Sequence, residues 1–334
     1  MVAEPTRADV ARRAGVSTTV VSYVVNDGPR PVAVATRRRV EAAIAELGYR
    51  PNGLARALRS RESGLVGLVV PDVAISFFAE LQRAVEAAVA AQGRLLVLGS
   101  SRYDDALQDR YVTAFAELRV EGIIAVTSTE SAASNRTFTA LDVPVVFLNR
   151  RPRRLAGVSS VSVDNEGGAR ALTARLVAAG HRRIACLAGG AAVEPVAERA
   201  RGWAAAMTAA GLRIEGLLLA SAFDRRAARE AARRWLDEHR DVTAVVCGTD
   251  EQAFGVLLAA HDLGLAVPEQ LAVAGFNGVA EAADALPPLT TVAQPIERMG
   301  HEAVGLLLGG GRRATHRVVP TELVVRASTG PLPG

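Results

Sequence analysis

The first fifty residues alternate apolar and polar positions with the period of short α-helices. Helical runs are predicted over residues 8–14, about 17–25 and about 35–47, and Gly15 and Gly48 end the first and the third. Thr6 and Asp9 resemble a capping box at the start of the first helix. The hydroxyl of Ser17 can cap the second helix. The pattern therefore predicts three short helices, with a tight glycine turn between the first two.

The second of these helices has two chemically different faces. Its hydrogen-bonding residues fall at i, i+1, i+4 and i+5, on one side: Thr18, Thr19, Ser22 and Tyr23. Val20, Val21 and Val24 centre on the opposite side and can pack inward. Two short helices with a polar face on the second are typical of a helix-turn-helix, which places that face in the major groove of DNA.

From Leu65 onward the pattern changes to apolar, strand-like runs that alternate with alanine-rich helical stretches. Strands are predicted over residues 65–70, 94–98, 122–126, 143–148, 161–163, 184–187, 216–220, 244–247, 271–274 and 318–325. This alternation predicts an α/β fold with parallel sheets, and its length predicts two Rossmann-like lobes. Ligands of such folds bind beyond the carboxyl ends of strands, which here read Pro71-Asp72, Thr127-Ser128, Asn149-Arg150, Thr249-Asp250 and Asn277-Gly278.

Composition narrows the class of protein further. No apolar run reaches the ~18 residues of a membrane span, and residues 1–10 lack the apolar core of a signal peptide, so a cytoplasmic protein is expected. Cys186 and Cys247 lie in apolar runs and are expected to be buried thiols. The histidines and cysteines lack metal-ligand spacing, and neither a phosphate-binding glycine loop nor a nucleophile–base set is evident. We therefore expect no metal, no cofactor and no enzymatic activity.

Charge is unevenly distributed along the chain. Residues 1–64 contain 11 arginines against six acidic residues, whereas the whole chain of 334 residues carries a formal net charge of +4. The basic excess therefore belongs to the segment with the helix-turn-helix pattern, as a nucleic-acid-binding domain requires.

Ordered motifs along nearly the whole chain resemble the LacI/GalR family of bacterial transcription regulators. The matching stretches include ADVARRAGVS (8–17), TRRRVEAAIAELGYRPNGLARALR (36–59), GLVVPD (67–72), VDNEGGA (163–169), ERARGW (198–203), TAVVCGTDEQAFG (243–255), VAGFN (273–277) and VVRAST (324–329). The resemblance implies a helix-turn-helix headpiece (1–50), a hinge helix and linker (51–64), a periplasmic-binding-protein-like body (65–329) and a tail (330–334). It implies an N-lobe of about 65–163 and 294–318, and a C-lobe of about 164–293 and 319–329.

Contacts to DNA are expected from the second helix and from the hinge. Thr18, Thr19 and Tyr23 are the candidates for reading bases, although Tyr23 could instead pack on the phosphate backbone. Relatives often carry Arg at position 23 and Thr at position 20, so the operator half-site cannot be copied from them. Ser17, Ser22 and Asn26 are expected to hold phosphates. In the hinge the expected contacts are Asn52, Ala55, Leu58 and Arg59, with Leu58 as a minor-groove wedge.

A small-molecule effector is expected between the two lobes. Arg199 matches the family arginine of an R-x-x-G pattern, although an arginine at a helix start could also form a surface salt bridge. The other candidate residues are Ile75, Phe78, Ser128, Asn149, Phe223, Thr249, Asp250, Asn277 and Gln294. Relatives commonly carry Asp at positions 149 and 277 and Asn at position 249. The amides here leave both a neutral sugar and an anionic derivative such as a sugar phosphate open.

The predicted function is a homodimeric transcriptional repressor that binds a palindromic operator. A metabolite, a sugar or sugar derivative, would control its affinity for DNA as inducer or as corepressor. Two alternatives remain. One is a regulator whose pocket has degenerated and binds no ligand. The other is a solute-binding protein, which the basic N-terminal segment disfavours.

Overall fold

A computed structural model describes residues 5–25, 28, 30–49, 63–127, 131–189, 193–311 and 313–330. The chain divides into two compact units, residues 1–63 and 64–334. Within the described residues no helix is both long and apolar enough to cross a membrane.

The first unit contains three helices, α1 (Arg7–Ala14), α2 (Thr18–Val25) and α3 (Val34–Leu47). The capping box predicted for α1 is confirmed, because the Asp9 backbone N–H donates to Thr6 Oγ1 at 3.4 Å and the Thr6 N–H donates to Asp9 Oδ2 at 2.9 Å. Gly15 and Gly48 end α1 and α3 with φ of 64° and 61°, in the left-handed region that glycine adopts without steric cost.

A small apolar core joins the three helices of the first unit. Its main members come from all three helices and from the segment that follows α3: Val10, Val21, Val24, Val40 and Tyr49. Thr18 and Thr19 lie on the exposed face of α2. The alternation of apolar and polar positions therefore orients α2 as predicted, with valines inward and threonines outward.

The second unit contains twelve strands and nine helices within the described residues. The strands are β1 (Leu65–Val70), β2 (Leu95–Ser100), β3 (Ile123–Ala125), β4 (Val145–Leu148), β5 (Ser159–Val163), β6 (Ile184–Ala188), β7 (Leu218–Ala220), β8 (Ala244–Cys247), β9 (Ala272–Asn277), β10 (Thr290–Ala293), β11 (His316–Val319) and β12 (Glu322–Val324). The helices are α4 (Ser76–Ala90), α5 (Asp105–Glu117), α6 (Ala132–Ala140), α7 (Asn165–Ala178), α8 (Glu194–Ala209), α9 (Arg225–Glu238), α10 (Asp250–Asp262), α11 (Glu281–Asp284) and α12 (Ile296–Leu308).

These strands form two six-stranded sheets, one in each lobe. The N-lobe sheet has the order β2-β1-β3-β4-β5-β11, and the C-lobe sheet has the equivalent order β7-β6-β8-β9-β10-β12. All pairs are parallel except β10 with β12. The chain passes between the lobes three times, at residues 163–165, 293–296 and 319–322. The predicted α/β fold with two doubly wound lobes is confirmed.

The sequence pattern was wrong in two places near the C-terminus. Residues 318–325 are not one strand, because β11 joins the N-lobe sheet and β12 joins the C-lobe sheet. Strand β10 was missed, since its TTVA sequence begins with two polar residues. Thr290 and Thr291 are fully buried, and their hydroxyls are satisfied by Arg326 O, Thr329 and Asp250. Tertiary partners thus make two polar residues acceptable in a core strand.

Candidate functional sites

The α2 face of the first unit presents hydroxyl groups to solvent. Ser17 Oγ accepts a hydrogen bond from the Val20 N–H at 3.3 Å, and Ser17, Thr18 and Thr19 are exposed. Ser22 and Tyr23 are partly buried at the edge of the same face. The remaining predicted DNA contacts lie outside the described residues: Asn26, Asn52, Ala55, Leu58 and Arg59.

Helix α2 is held in place by its neighbours through polar contacts as well as through the core. Arg37 Nη1 donates to Val24 O, near the end of α2, at 3.4 Å. Arg13 of α1 pairs with Glu46 of α3 at 2.7 Å. The polar face of α2 is therefore carried by a fixed three-helix frame, which is what base reading by a helix needs.

A cavity lies between the two lobes of the second unit, at the carboxyl ends of their strands. A water-sized sphere can occupy about 50 Å³ of it, and about 530 Å³ is free of protein atoms when the solvent at its open mouth is included. Its lining includes these residues predicted for the effector site: Ile75, Phe78, Asn149, Arg199, Phe223, Thr249 and Asn277. Asp250 and Gln294 lie outside the lining, and Ser128 lies outside the described residues. The lining also includes Pro71, Phe77, Tyr103, Val126, Thr127, Val193, Pro195 and Val196.

Among the described residues of that lining Arg199 alone is charged, and its side chain is held firmly. It is 4% exposed, Nε donates to Asn165 Oδ1 at 2.9 Å, and Nη1 donates to Gly248 O at 2.6 Å and Asn277 Oδ1 at 3.1 Å. The guanidinium also stacks over the Phe276 ring at 3.8 Å. Burial lowers the pKa of Arg199 to about 9, and the carboxylates of Asp250 and Glu198 oppose that shift. The surface salt bridge considered for this residue is therefore wrong.

The position of Arg199 depends on the close approach of α7 and α8. A Cβ at Gly202 would lie 2.2 Å from the Glu166 backbone oxygen in α7, so only glycine fits there. Asn165, the first residue of α7, receives the Arg199 Nε hydrogen bond and itself donates to Glu198 at 2.9 Å. The R-x-x-G spacing is thus explained by packing: glycine brings the helices together, and arginine crosses the contact into the cavity.

Asp250 lies behind the cavity wall and organises it. Its carboxylate accepts hydrogen bonds from the Gly278 and Val279 backbone N–H groups at 2.7 and 2.9 Å, and from Thr291 Oγ1 at 2.6 Å. Burial raises its pKa to about 6, while these hydrogen bonds and the Arg199 charge act in the opposite direction. Asp250 therefore connects the start of α10 to the loop that follows Asn277, the last residue of β9.

Gln294 also contributes to the cavity wall, through a hydrogen bond to Asn277. Its Nε2 donates to Asn277 Oδ1 at 2.9 Å, so this oxygen receives hydrogen bonds from both Gln294 and Arg199. Asn277 has a φ of 131°, a backbone conformation that costs energy for a non-glycine residue. The wall of the C-lobe is thus an interlocked polar network around one asparagine.

The N-lobe wall differs in its polar groups. Thr127 Oγ1 and Asn149 Oδ1 are buried and have no hydrogen-bond partner within the described part of the chain. Asn149 follows β4 with a φ of 74°, in the left-handed region. The two residues face a cavity that can supply the missing partners from water or from a ligand.

Tyr103 was missed by the sequence analysis. Its ring stacks on Phe223 of the opposite lobe, with centroids 5.9 Å apart and an angle of 23° between the planes. Tyr103 is 39% exposed overall, but partial desolvation, with the carboxylates of Asp72 and Asp224 nearby, raises its pKa. The residue comes shortly after β2, and inspection of that strand's carboxyl end would have identified it. Arg102 and Tyr103 both have positive φ, a backbone conformation that the local sequence pattern does not predict.

The lobes also touch at other places around the cleft. Ser76 Oγ donates to Glu281 at 2.8 Å, and the Ala280 N–H donates to Glu80 at 2.9 Å. Arg153 pairs with Glu194 at 2.7 Å. Together with the Tyr103–Phe223 stack, these contacts join the two lobes around the cavity.

Two family models match the chain. The model described as bacterial regulatory proteins, lacI family, matches residues 6–52, and the one described as periplasmic binding protein-like domain matches residues 173–329. The HTH-type transcriptional regulator DegA of Bacillus subtilis (strain 168) is 34% identical over 332 residues, covering 97% of this chain and 98% of DegA. The chain therefore belongs to the LacI family of DNA-binding transcriptional repressors.

Solved structures agree with this assignment. The Lac repressor dimer bound to operator and the anti-inducer ONPF is 27% identical, with a TM-score of 0.86 over 98% of this chain and all of that chain. The complex of the transcriptional regulator CelR with cellobiose is 34% identical, with a TM-score of 0.74 over 97% of this chain and 99% of that one. These relatives are transcriptional regulators rather than enzymes.

Proposed function

We propose that this protein is an operator-binding repressor whose affinity for DNA is set by a small metabolite in the interlobe cavity. The observation that carries the proposal is the buried guanidinium of Arg199 at the base of a cavity formed by both lobes. A ligand held there contacts residues of both lobes at once. Its binding energy can therefore favour one relative orientation of the lobes over another, which is the basis of allosteric control.

The proposed effector is a sugar or a sugar derivative. CelR was solved with cellobiose, and the aromatic residues here suit the apolar faces of a sugar ring. Phe78 and Phe223 form apolar walls, while Arg199, Asn149 and Asn277 offer hydrogen bonds to hydroxyl groups. This combination of few polar groups and many apolar ones is typical of small-molecule sites.

The proposed DNA-binding form is a homodimer on a palindromic operator. The Lac repressor was solved as a dimer on its operator, and two copies of the α2 face would read two half-sites. Ser17, Thr18, Thr19, Ser22 and Tyr23 are the proposed contacts in the described part of the headpiece. The assignments of Asn26, Asn52, Ala55, Leu58 and Arg59 stay predictions from the family resemblance.

The test begins with selection of bound sequences from random DNA at about 150 mM salt, where nonspecific binding is weakened. An enriched palindrome is the expected result, and it supplies the probe for metabolite titrations. Arg199→Ala should retain operator binding and lose the response to any active metabolite.

Arg201→Ala is the matched control, because Arg201 lies on the same helix but is exposed and pairs with Glu166 and Glu194. Its metabolite response should equal that of the wild type. An Arg199→Ala variant that responds normally would remove the cavity from the mechanism, and failure to enrich any motif would contradict the operator-binding function.

A further inference from the structure

The positive charge of Arg199 has no carboxylate partner within the described residues. Its three hydrogen bonds all go to neutral oxygens, those of Asn165, Gly248 and Asn277. Nη2 makes no hydrogen bond to any described residue, although Arg199 lines the cavity. Asp250 and Glu198 contribute negative charge from nearby, but the Asp250 oxygens are occupied by two backbone N–H groups and Thr291, and Glu198 accepts a hydrogen bond from Asn165. The cavity thus contains a cation whose direct contacts leave its charge unpaired.

Asn277 adds a second unused donor beside this cation. Its Oδ1 accepts both of the side-chain hydrogen bonds that the structure shows for this residue, from Arg199 and from Gln294. Its Nδ2 makes none to the described residues. An aspartate would accept the same two hydrogen bonds, so the neighbours do not require an amide. What the amide changes is the cavity: it removes a negative charge and presents an N–H group there.

The opposite wall offers acceptors instead. Thr127 is 5% exposed, and its Oγ1 is buried without a partner, as is Asn149 Oδ1. An acceptor in this situation is satisfied by a hydroxyl group of a ligand. The cavity therefore has donors and a positive charge on its C-lobe side, a hydroxyl and an amide that can each accept or donate on its N-lobe side, and aromatic rings at Phe78 and Phe223.

We propose that the effector is a hydroxylated carboxylic acid of the aldonic or uronic type. This rests on the proposed function, since it names the class of ligand for the same cavity. A carboxylate oxygen accepts hydrogen bonds from Arg199 Nη2 and Asn277 Nδ2, and a hydroxyl group at the other end donates to Asn149 or Thr127. Charge-assisted hydrogen bonds in a site shielded from water discriminate strongly in favour of the charged ligand.

The experiment compares sugar acids with their neutral parents on the full-length protein. Sodium D-gluconate, D-glucuronate and D-galacturonate are titrated by calorimetry beside D-glucose and D-galactose, with D-glucose 6-phosphate as a phosphate probe. At least one acid should bind roughly tenfold or more tightly than its parent, and it should change the affinity for the selected operator.

The substitution Asn277→Asp tests directly whether the Nδ2 group of Asn277 donates to the carboxylate of the ligand. The variant keeps both hydrogen bonds to Oδ1 but places a negative charge next to Arg199. It should therefore weaken the binding of the sugar acid by roughly tenfold or more. Its unfolding temperature without ligand reports whether it folds. As a second test, Arg199→Gln and Arg201→Gln each remove one positive charge, and only the former should abolish binding of the acid.

Three results would overturn this inference. They are equal or tighter binding of a neutral parent, tighter binding of the sugar phosphate, and no binding of any acid. In the first two, a ligand still acts through the cavity and the proposed function stands. If no compound of a wider metabolite panel stabilises the protein or alters operator binding, the proposed function fails as well.

Discussion

The two walls of the interlobe cavity differ in how their polar side chains are held. On the C-lobe wall, Arg199 donates a hydrogen bond to Asn277, and Asp250 accepts hydrogen bonds from the backbone N–H groups of Gly278 and Val279, which follow Asn277. On the N-lobe wall, Thr127 and Asn149 each retain a buried oxygen without a partner in the described chain. Hydrogen bonds to neighbouring residues hold the C-lobe side chains and their remaining donors in fixed positions, whereas the N-lobe oxygens gain a partner only when a ligand or water arrives.

This difference suggests an order of events for the proposed ligand. The C-lobe wall is built before the ligand arrives and would bind it first. The N-lobe wall would gain its missing hydrogen bonds when the lobes close over the ligand. Removal of the Asp250 carboxylate should therefore damage the fold as well as the site, and substitutions on the N-lobe side should affect the site alone.

The largest effect is expected from Asp250→Ala. The change leaves two backbone N–H groups and the Thr291 hydroxyl without their acceptor, and it should lower the free energy of unfolding by about 3 kcal/mol or more. Urea unfolding measures the loss. Asp250→Asn retains an oxygen acceptor and should cost clearly less. Equal losses in the two variants would contradict the role given to this network.

The next largest effect is expected from Gly202→Ala, which should lower the free energy of unfolding by about 2 kcal/mol because the contact between α7 and α8 becomes overpacked. Its Cβ would meet the Glu166 backbone oxygen at 2.2 Å, so α7 and α8 must separate and Arg199 must shift. The matched control is Gly305→Ala in α12 of the N-lobe, where a Cβ meets nothing within 4 Å. That control should be neutral or stabilising, because alanine favours a helix over glycine. A harmless Gly202→Ala would refute the packing argument.

The C-lobe network should also make stability depend on pH. The pKa of Asp250 is about 6 in the folded state and near 3.8 when unfolded, so the native state binds the extra proton between these values. Stability should therefore fall as pH rises from about 4 to 6, by at most about 1.4 kcal/mol per pH unit. The measurement is the difference between wild type and Asp250→Asn across this range. A difference that does not change with pH would show that burial does not perturb this carboxyl.

The smallest effect on folding is expected from Thr127→Val on the N-lobe wall. Its Oγ1 has no partner to lose, so the free energy of unfolding should change by less than about 0.5 kcal/mol. Binding of an active metabolite should nevertheless weaken, since the hydroxyl is proposed to contact it. Chemical unfolding and calorimetry on the same preparation separate the two effects. A large loss of stability in Thr127→Val would contradict the proposal that polar groups on the N-lobe wall serve the site and not the fold.

Local patterns determined most of the fold. The helices of the first unit, their glycine ends and the Thr6–Asp9 cap depend on contacts within a few residues. Strands β1 and β8 lie where the apolar runs predicted them. Strand β10 was missed because Thr290 and Thr291 are buried beside partners from distant segments, Arg326 and Asp250. Periodicity reports hydrophobicity, and it cannot report a polar residue whose partner is far along the chain.

The sequence by itself determined the class of protein, the two repeated α/β lobes and the arginine expected in the cleft. Each of these depends on local periodicity or on a motif of short spacing. Only the tertiary structure decided that Asp250 supports the wall from behind, that Tyr103 reaches Phe223 across the cleft, and that Thr127 and Asn149 each have a buried oxygen without a partner among the described residues. Such features depend on which atoms meet when distant strands end at the same edge of a sheet, and a linear pattern carries no record of those distances.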